Sequence, residues 1–153
     1  LMIDLDAIEI SDFLPHRAPF LMVEKVIALS EEYVTTSFTI LEDNILVNEN
    51  IFSEVGLIEN AAQTCSAIVG KSYFEEDDIK GQGTSLIGFI SAIKKIEVFE
   101  CPTVNTKIIT KAALKSRFDT DAYSICTLEC ITYISEKKIA TFEMNLFIQE
   151  VNK

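Results

Sequence analysis

A chain of 153 residues, 48% of them apolar, is long enough to bury one core without disulfide or metal staples. Against 13 basic side chains stand 24 carboxylates, and the net charge of −11 weighs against nucleic acid, whose phosphates are bound by Lys and Arg. No apolar run nears the roughly 20 residues of a membrane-spanning helix, and Asp4, Asp6 and Glu9 fall where a signal peptide keeps its apolar core. The expectation is a soluble cytoplasmic protein with no nucleic-acid or membrane partner.

In chain order, "LDAIEISDFL" reads as a short helix or an irregular lead-in. "FLMVEKVIALS" reads as a first strand and "YVTTSFTIL" as a second, its β-branched residues suiting a pleated surface. "EDNILVNEN" is a polar loop with an apolar interruption. From Ser53, a plausible N-cap, Val55, Ile58, Ala62, Cys65, Val69 and Ser72 recur at spacings of three and four. That period predicts a helix to about Phe74, where "EEDD" and "KGQG" end it.

The remainder is strand-like. "SLIGFISAIKKIEVF" is followed by Cys101-Pro102 and "TVNTKIITKAALKSR"; a "DTD" turn leads to "AYSICTLECITYI", and a "SEKK" turn to "IATFEMNLFIQEV". Two strands, one long helix and a run of hairpins give an α+β chain, one antiparallel sheet wrapped around a long central helix. That is the layout of a hotdog fold. Without repeats or linkers, residues 1–153 are expected to form a single domain.

Of the four cysteines, Cys126 and Cys130 are spaced to share one strand face, while Cys65 and Cys101 lie apart. With a single histidine and no C-x-x-C, no metal site is expected. Buried free thiols in a reducing compartment are the ordinary reading.

Three groups of polar residues invite a chemical reading. Glu59, Gln63 and Ser66 lie at i, i+4 and i+7 along one helix stripe, where a carboxylate backed by an amide and a hydroxyl suits acid–base work. The same stripe borders Asn60, Thr64 and Lys71 and reads equally as a solvated face. Lys94, Lys95, Lys107, Lys111, Lys115 and Arg117 form either a docking patch for an anionic partner or the charges that protect strand edges. His16, between Pro15 and Arg17 in "FLPHRAPFLMVEKV", either fixes a turn or moves a proton near neutral pH.

That last stretch closely resembles the opening motif of the β-hydroxyacyl-(acyl carrier protein) dehydratases of the FabZ type, L-P-H-R-x-P-F-L-L-V-D-R-V. "VGLIENAAQT", Val55 to Thr64, is similar to their helix motif V-L-I-x-E-A-x-A-Q. The resemblance implies hotdog protomers in a homodimer, a higher oligomer or a hetero-oligomer, with acyl sites at the subunit interface. The substrate it implies is a thioester of acyl carrier protein or coenzyme A, and no cofactor. Glu59 matches the catalytic helix carboxylate and Gln63 the glutamine after it. His16 matches a histidine that is not the catalytic one in FabZ-type enzymes. Their catalytic histidine lies in a G-H-F-P-G-x-P loop, and here "NILVNENIFSE" stands instead, with Ile45 near its place.

"GFISAIKK", Gly88 to Lys95, is similar to the strand motif G-F-L/I-x-A/G-x-R/K-R/K of the dehydratase-like proteins of aryl polyene and flexirubin pigment clusters. This likeness implies that His16 works with Glu59, across the dimer interface. The resemblance then implies His16 as base and Glu59 as acid, with Gln63 orienting Glu59. The substrate contacts expected are Gly56 at the helix start, Gln63 and Ser66. Arg17, Lys94 and Lys95 are the residues expected to dock a carrier protein. A hotdog thioesterase and a catalytically silent carrier-binding subunit of a dehydratase complex are the alternatives.

Overall fold

The computed structural model describes residues 4–7, 9–71 and 85–151. A 3-10 turn at Leu5–Ala7 and a one-turn helix α1, Ile10–Phe13, lead to strands β1, Lys25–Leu29, and β2, Tyr33–Thr39. A small hairpin of β3, Val47–Asn48, and β4, Ile51–Phe52, precedes helix α2, Glu54–Lys71. Four long strands follow: β5, Ser85–Val98; β6, Lys107–Asp119; β7, Tyr123–Ile134; and β8, Lys137–Val151. The main sheet runs β1-β2-β6-β7-β8-β5, antiparallel throughout, with β1 and β5 at its edges.

Alternation along the strands explains why one face closes on α2. Ser124, Cys126, Leu128, Cys130 and Thr132 of β7 are buried, and so are Ala140, Phe142, Met144, Leu146 and Ile148 of β8. The residues between them face away from the helix. Bulges in the β5–β8 and β6–β7 ladders add local twist, which lets so long a sheet curl around one helix. On α2, Ala61, Ala62, Cys65 and Ala67 are small and buried, and Leu57 and Ile68 fill the space beside them. Burying those last two side chains is worth about 1.5–3 kcal/mol each. Ser53 caps α2, its Oγ accepting the Gly56 N–H at 3.2 Å, with Glu54 in the first turn to complement the helix dipole.

The helix and the four strands after it lie where periodicity places them, and the α+β hotdog layout holds. The expected end of the helix near Phe74, with "EEDD" and "KGQG", lies outside the described residues. Two local expectations change. Residues 20–24 precede the strand rather than opening it, because α2 side chains take the backbone groups that a neighbouring strand would pair. Within 42–50, the apolar interruption at Leu46 and Val47 belongs to the β3–β4 hairpin. Its turn residues Glu49 and Asn50 have φ of 50° and 68°, the left-handed pair of a type I′ turn.

Three of the cysteines, Cys65, Cys126 and Cys130, are buried free thiols, and the Cys65 and Cys130 sulfurs lie 3.1 Å apart between helix and sheet. Among the described residues no helix is long and apolar enough to cross a membrane.

Candidate active site

The segment carrying His16 is a turn closed on itself. Arg17 Nη1 donates to the carbonyls of Leu14 at 2.7 Å and His16 at 2.9 Å, and the Arg17 carbonyl accepts the N–H groups of Phe20 and Leu21. Pro15 and Pro19 add no donors to satisfy and limit the backbone on both sides. The turn half-buries the imidazole, and Nδ1 is buried with no hydrogen-bond partner among the described residues. A buried polar atom left alone is uncommon and costly, so a position like this calls for a functional account.

Burial is the main influence on His16, pushing its pKa below the ordinary value. The Glu59 carboxylate pulls it partway back, and the Arg17 guanidinium pushes it down further. A neutral imidazole at neutral pH is the consequence, ready to take a proton. Glu59 of the same chain is therefore close enough for its charge to act on His16.

Glu59 is half-buried on α2, and its Oε1 accepts an N–H of Gln63 at 2.8 Å. Gln63, fully buried, donates from the same nitrogen to the Phe20 carbonyl at 2.7 Å, and its Oε1 accepts the Met22 N–H at 2.7 Å. One helix turn away, Asn60 Nδ2 donates to the Met22 carbonyl at 2.7 Å. Two helix amides thus hold the segment behind His16 much as a neighbouring strand would. Thr110 donates to Asn60 Oδ1 at 2.7 Å and lies 3.0 Å from the Thr132 hydroxyl, while Thr36 and Thr64 bond at 2.7 Å. The polar arc of α2 is therefore not a solvated face. Asn60, Gln63 and Thr64 are each 0% exposed, Asn60 and Thr64 paired with sheet threonines and Gln63 with the segment that follows His16. An asparagine inside an otherwise apolar helix face, with threonines at inward strand positions, was the sequence signal for this network.

Several expected roles change. Gln63 is no substrate contact, since both its amide hydrogens and its oxygen are engaged inside the protein. Ser66 donates its hydroxyl to the Ala62 carbonyl at 3.0 Å, a bond within the helix rather than one aimed at a ligand. Gly56 is buried, and its N–H goes to the Ser53 cap instead of a thioester carbonyl. A Cβ at Gly56 would stand 2.5 Å from the Phe52 ring, so the glycine makes room for that ring. Arg17 closes the His16 turn. Lys94 lies 4.0 Å from Glu143 and Lys95 3.0 Å from Glu97, which ties both to the sheet. Lys95 shares a shallow groove with Glu129, Glu143 and Tyr33 on the sheet face turned away from α2. Ile45, where FabZ-type enzymes carry a loop histidine, is exposed beside the β3–β4 hairpin.

Residues 8–153 match the family described as ApeP dehydratase. The chain belongs to the ApeP-like dehydratase family. Its ApeP-like sequence is 28% identical to the 3-hydroxyacyl-(acyl-carrier-protein) dehydratase FabZ of Wolinella succinogenes, over 97% of this chain and 98% of that enzyme. It is 38% identical to the FabZ of Teredinibacter turnerae over 42% of this chain, a match that spans only about half, 48%, of that relative. The ApeP-like fold superposes on a chain of the dehydratase heterocomplex ApeI:P from Xenorhabdus doucetiae with a TM-score of 0.71. That match has 19% identity and covers 95% of this chain and 93% of that one. The FabA/FabZ-like resemblance of the "LPHRAPF" and "LIENAAQ" segments is thereby placed in its ApeP-like branch.

Proposed function

We propose that residues 1–153 act as one hotdog unit that dehydrates a 3-hydroxyacyl thioester carried on acyl carrier protein or coenzyme A. The observation that carries this reading is the unpartnered, buried Nδ1 of the sole histidine, beside a carboxylate oriented by Gln63. His16 removes the α-proton of the thioester. The histidinium passes this proton to the Glu59 carboxylate, which gives it to the departing hydroxyl as the C3–O bond breaks; a C2–C3 double bond forms, water leaves, and both groups end as they began. Glu59 uses Oε2 for this work, since Gln63 occupies Oε1. The N–H groups of Glu54 and Val55, which have no acceptor inside the helix, are the first-turn donors left to polarise a thioester carbonyl.

A second hotdog chain is the partner this reading assigns. β5 is a 14-residue edge strand with Ile87, Phe89 and Ile93 exposed, and so long an apolar edge is a template for pairing. The partner is a second copy or a different hotdog subunit. The isoleucine near the family's loop-histidine position and the likeness to a heterocomplex support the latter, in which this chain is a silent carrier-binding subunit.

One assay separates the readings. Purified protein incubated with a 3-hydroxyacyl carrier-protein thioester is followed for enoyl absorbance and for free thiol. Enoyl formation that disappears in His16→Ala and Glu59→Gln is the expected result. Release of thiol without enoyl would make the protein a thioesterase. No turnover alone, with turnover restored by a co-purifying hotdog chain and unaffected by His16→Ala, would make it the silent subunit.

A further inference from the structure

Asn60 stands where the FabZ-type helix motif has alanine, and it is completely buried. A buried amide is retained at a cost unless every polar atom finds a partner. Here the partners define a direction. Asn60 Nδ2 donates to the Met22 carbonyl, so Oδ1 must accept, and it accepts from Thr110 Oγ1 at 2.7 Å. Thr110 has one hydroxyl hydrogen, now spent, so its 3.0 Å contact with Thr132 places the Thr132 hydroxyl as donor. The chain of bonds runs from β7 through β6 and α2 to the segment behind His16. Gln63 accepts the N–H of the same residue, Met22, and donates to the Phe20 carbonyl, and Phe20 and Leu21 bond back to Arg17, the residue after His16.

We propose that Asn60 is a positioning residue, fixed by the Thr132–Thr110 hydroxyl pair, which sets the distance between His16 on its turn and Glu59 on the helix. Gln63 and Glu59 share one side of the helix, so Gln63 alone leaves the Met22 segment free to pivot about its bonds. Asn60, bonding from the adjacent position to the opposite side of Met22, removes that freedom. The hydroxyl of Thr110 fixes which way the Asn60 amide faces, because the flipped amide would set Nδ2 against the threonine and Oδ1 against the Met22 carbonyl. The inference deepens the dehydratase reading, yet its first readout does not depend on turnover.

His16 is the only histidine in the chain, so its ring resonances report on this site alone. The experiment compares Thr110→Val, Thr110→Ser and Asn60→Leu with the wild type by imidazole NMR titration and by steady-state kinetics. Thr110→Val keeps shape and removes the hydroxyl that donates to Asn60 and accepts from Thr132, which keeps the test open if Asn60→Leu fails to fold. Expected in Thr110→Val is a His16 titration moved up toward the ordinary histidine value, as the ring loses its enforced burial. With it comes a fall in kcat of roughly 10- to 100-fold and little change in KM, since misplacement of reacting groups costs rate on this scale. Thr110→Ser, which keeps the hydroxyl, should restore both. A Thr110→Val protein with a lower melting temperature but wild-type His16 titration and kcat would overturn the inference and leave the dehydratase reading intact. If the wild type has no dehydratase activity, the titration shift still decides whether Asn60 positions His16.

Discussion

Gln63 and Glu59, one turn apart on α2, are joined by a 2.8 Å bond from the same amide nitrogen that holds the Phe20 carbonyl at 2.7 Å. One side chain therefore orients the carboxylate and anchors the segment that follows His16. Replacing it removes both functions together. In Gln63→Leu the buried Met22 N–H loses its partner, at about 1–3 kcal/mol for a group left unsatisfied, and the part-buried Phe20 carbonyl loses another. Thermal and urea unfolding should show a loss of about 2–4 kcal/mol, together with near-complete loss of dehydratase turnover. A stability within about 0.5 kcal/mol of wild type would mean that the segment is held by other contacts.

Gly56→Ala puts a methyl group where the Phe52 ring already stands, at 2.5 Å from two ring carbons. Both residues are buried, so the ring must shift against Phe38 and its other neighbours. A destabilisation of about 1–3 kcal/mol is expected in denaturant unfolding. Adding Phe52→Leu should recover part of that loss, and the two changes should be clearly non-additive. Strict additivity would place the strain elsewhere.

His16 links folding to pH. Its folded pKa lies below the ordinary value of about 6.5, so in the window beneath that value the unfolded chain binds more protons. Its contribution to stability is fully present above about pH 6.5 and is lost as pH falls toward the depressed folded value. Glu59 and Arg17 are the charged groups acting on the ring, in opposite directions. Urea midpoints measured between pH 7.5 and 5 should fall more steeply for wild type than for His16→Asn. Parallel curves would show that the imidazole is not held neutral by its surroundings.

The four thiols should separate sharply in reactivity. Cys101 is partly exposed, although burial and then the Glu54 carboxylate raise its pKa and slow it. Burial first, then contact with Cys130, pushes the Cys65 thiol well up, and burial also raises Cys126. Titration with an aromatic disulfide reagent at pH 8 should give one slow thiol in the native protein and four in denaturant. Fast native reaction at Cys65 or Cys130 would contradict their place between helix and sheet.

Much of the fold was legible in the sequence because it follows from periodicity. The alternation in "YSICTLECITYI" and "IATFEMNLFIQEV" marks strands with one buried face, and Ser53 followed by a three-and-four apolar spacing marks a capped helix. The boundary that failed is instructive. "FLMV" looks like the start of a strand because it is apolar, but apolarity records burial and not the identity of a hydrogen-bond partner. Met22 is buried while its peptide groups bond to Gln63 and Asn60. The β3–β4 hairpin was too short for alternation to register, and only the left-handed backbone at Glu49 and Asn50 reveals it.

The sequence by itself determined the hotdog order of elements, the dehydratase family, and the shortlist of His16, Glu59 and Gln63. Those rest on local spacing and motif, which need no knowledge of what packs on what. Only the tertiary structure decided that Gln63 is a clamp, that Gly56 serves Phe52, that Lys94 and Lys95 are tied to neighbouring carboxylates, and that Asn60 bonds the Met22 carbonyl and Thr110. Those partners lie between 2 and 50 positions away in sequence. A helix wheel shows which side chains share a face. Whether that face meets water, a row of threonines or a histidine turn is fixed by how the sheet curls around it.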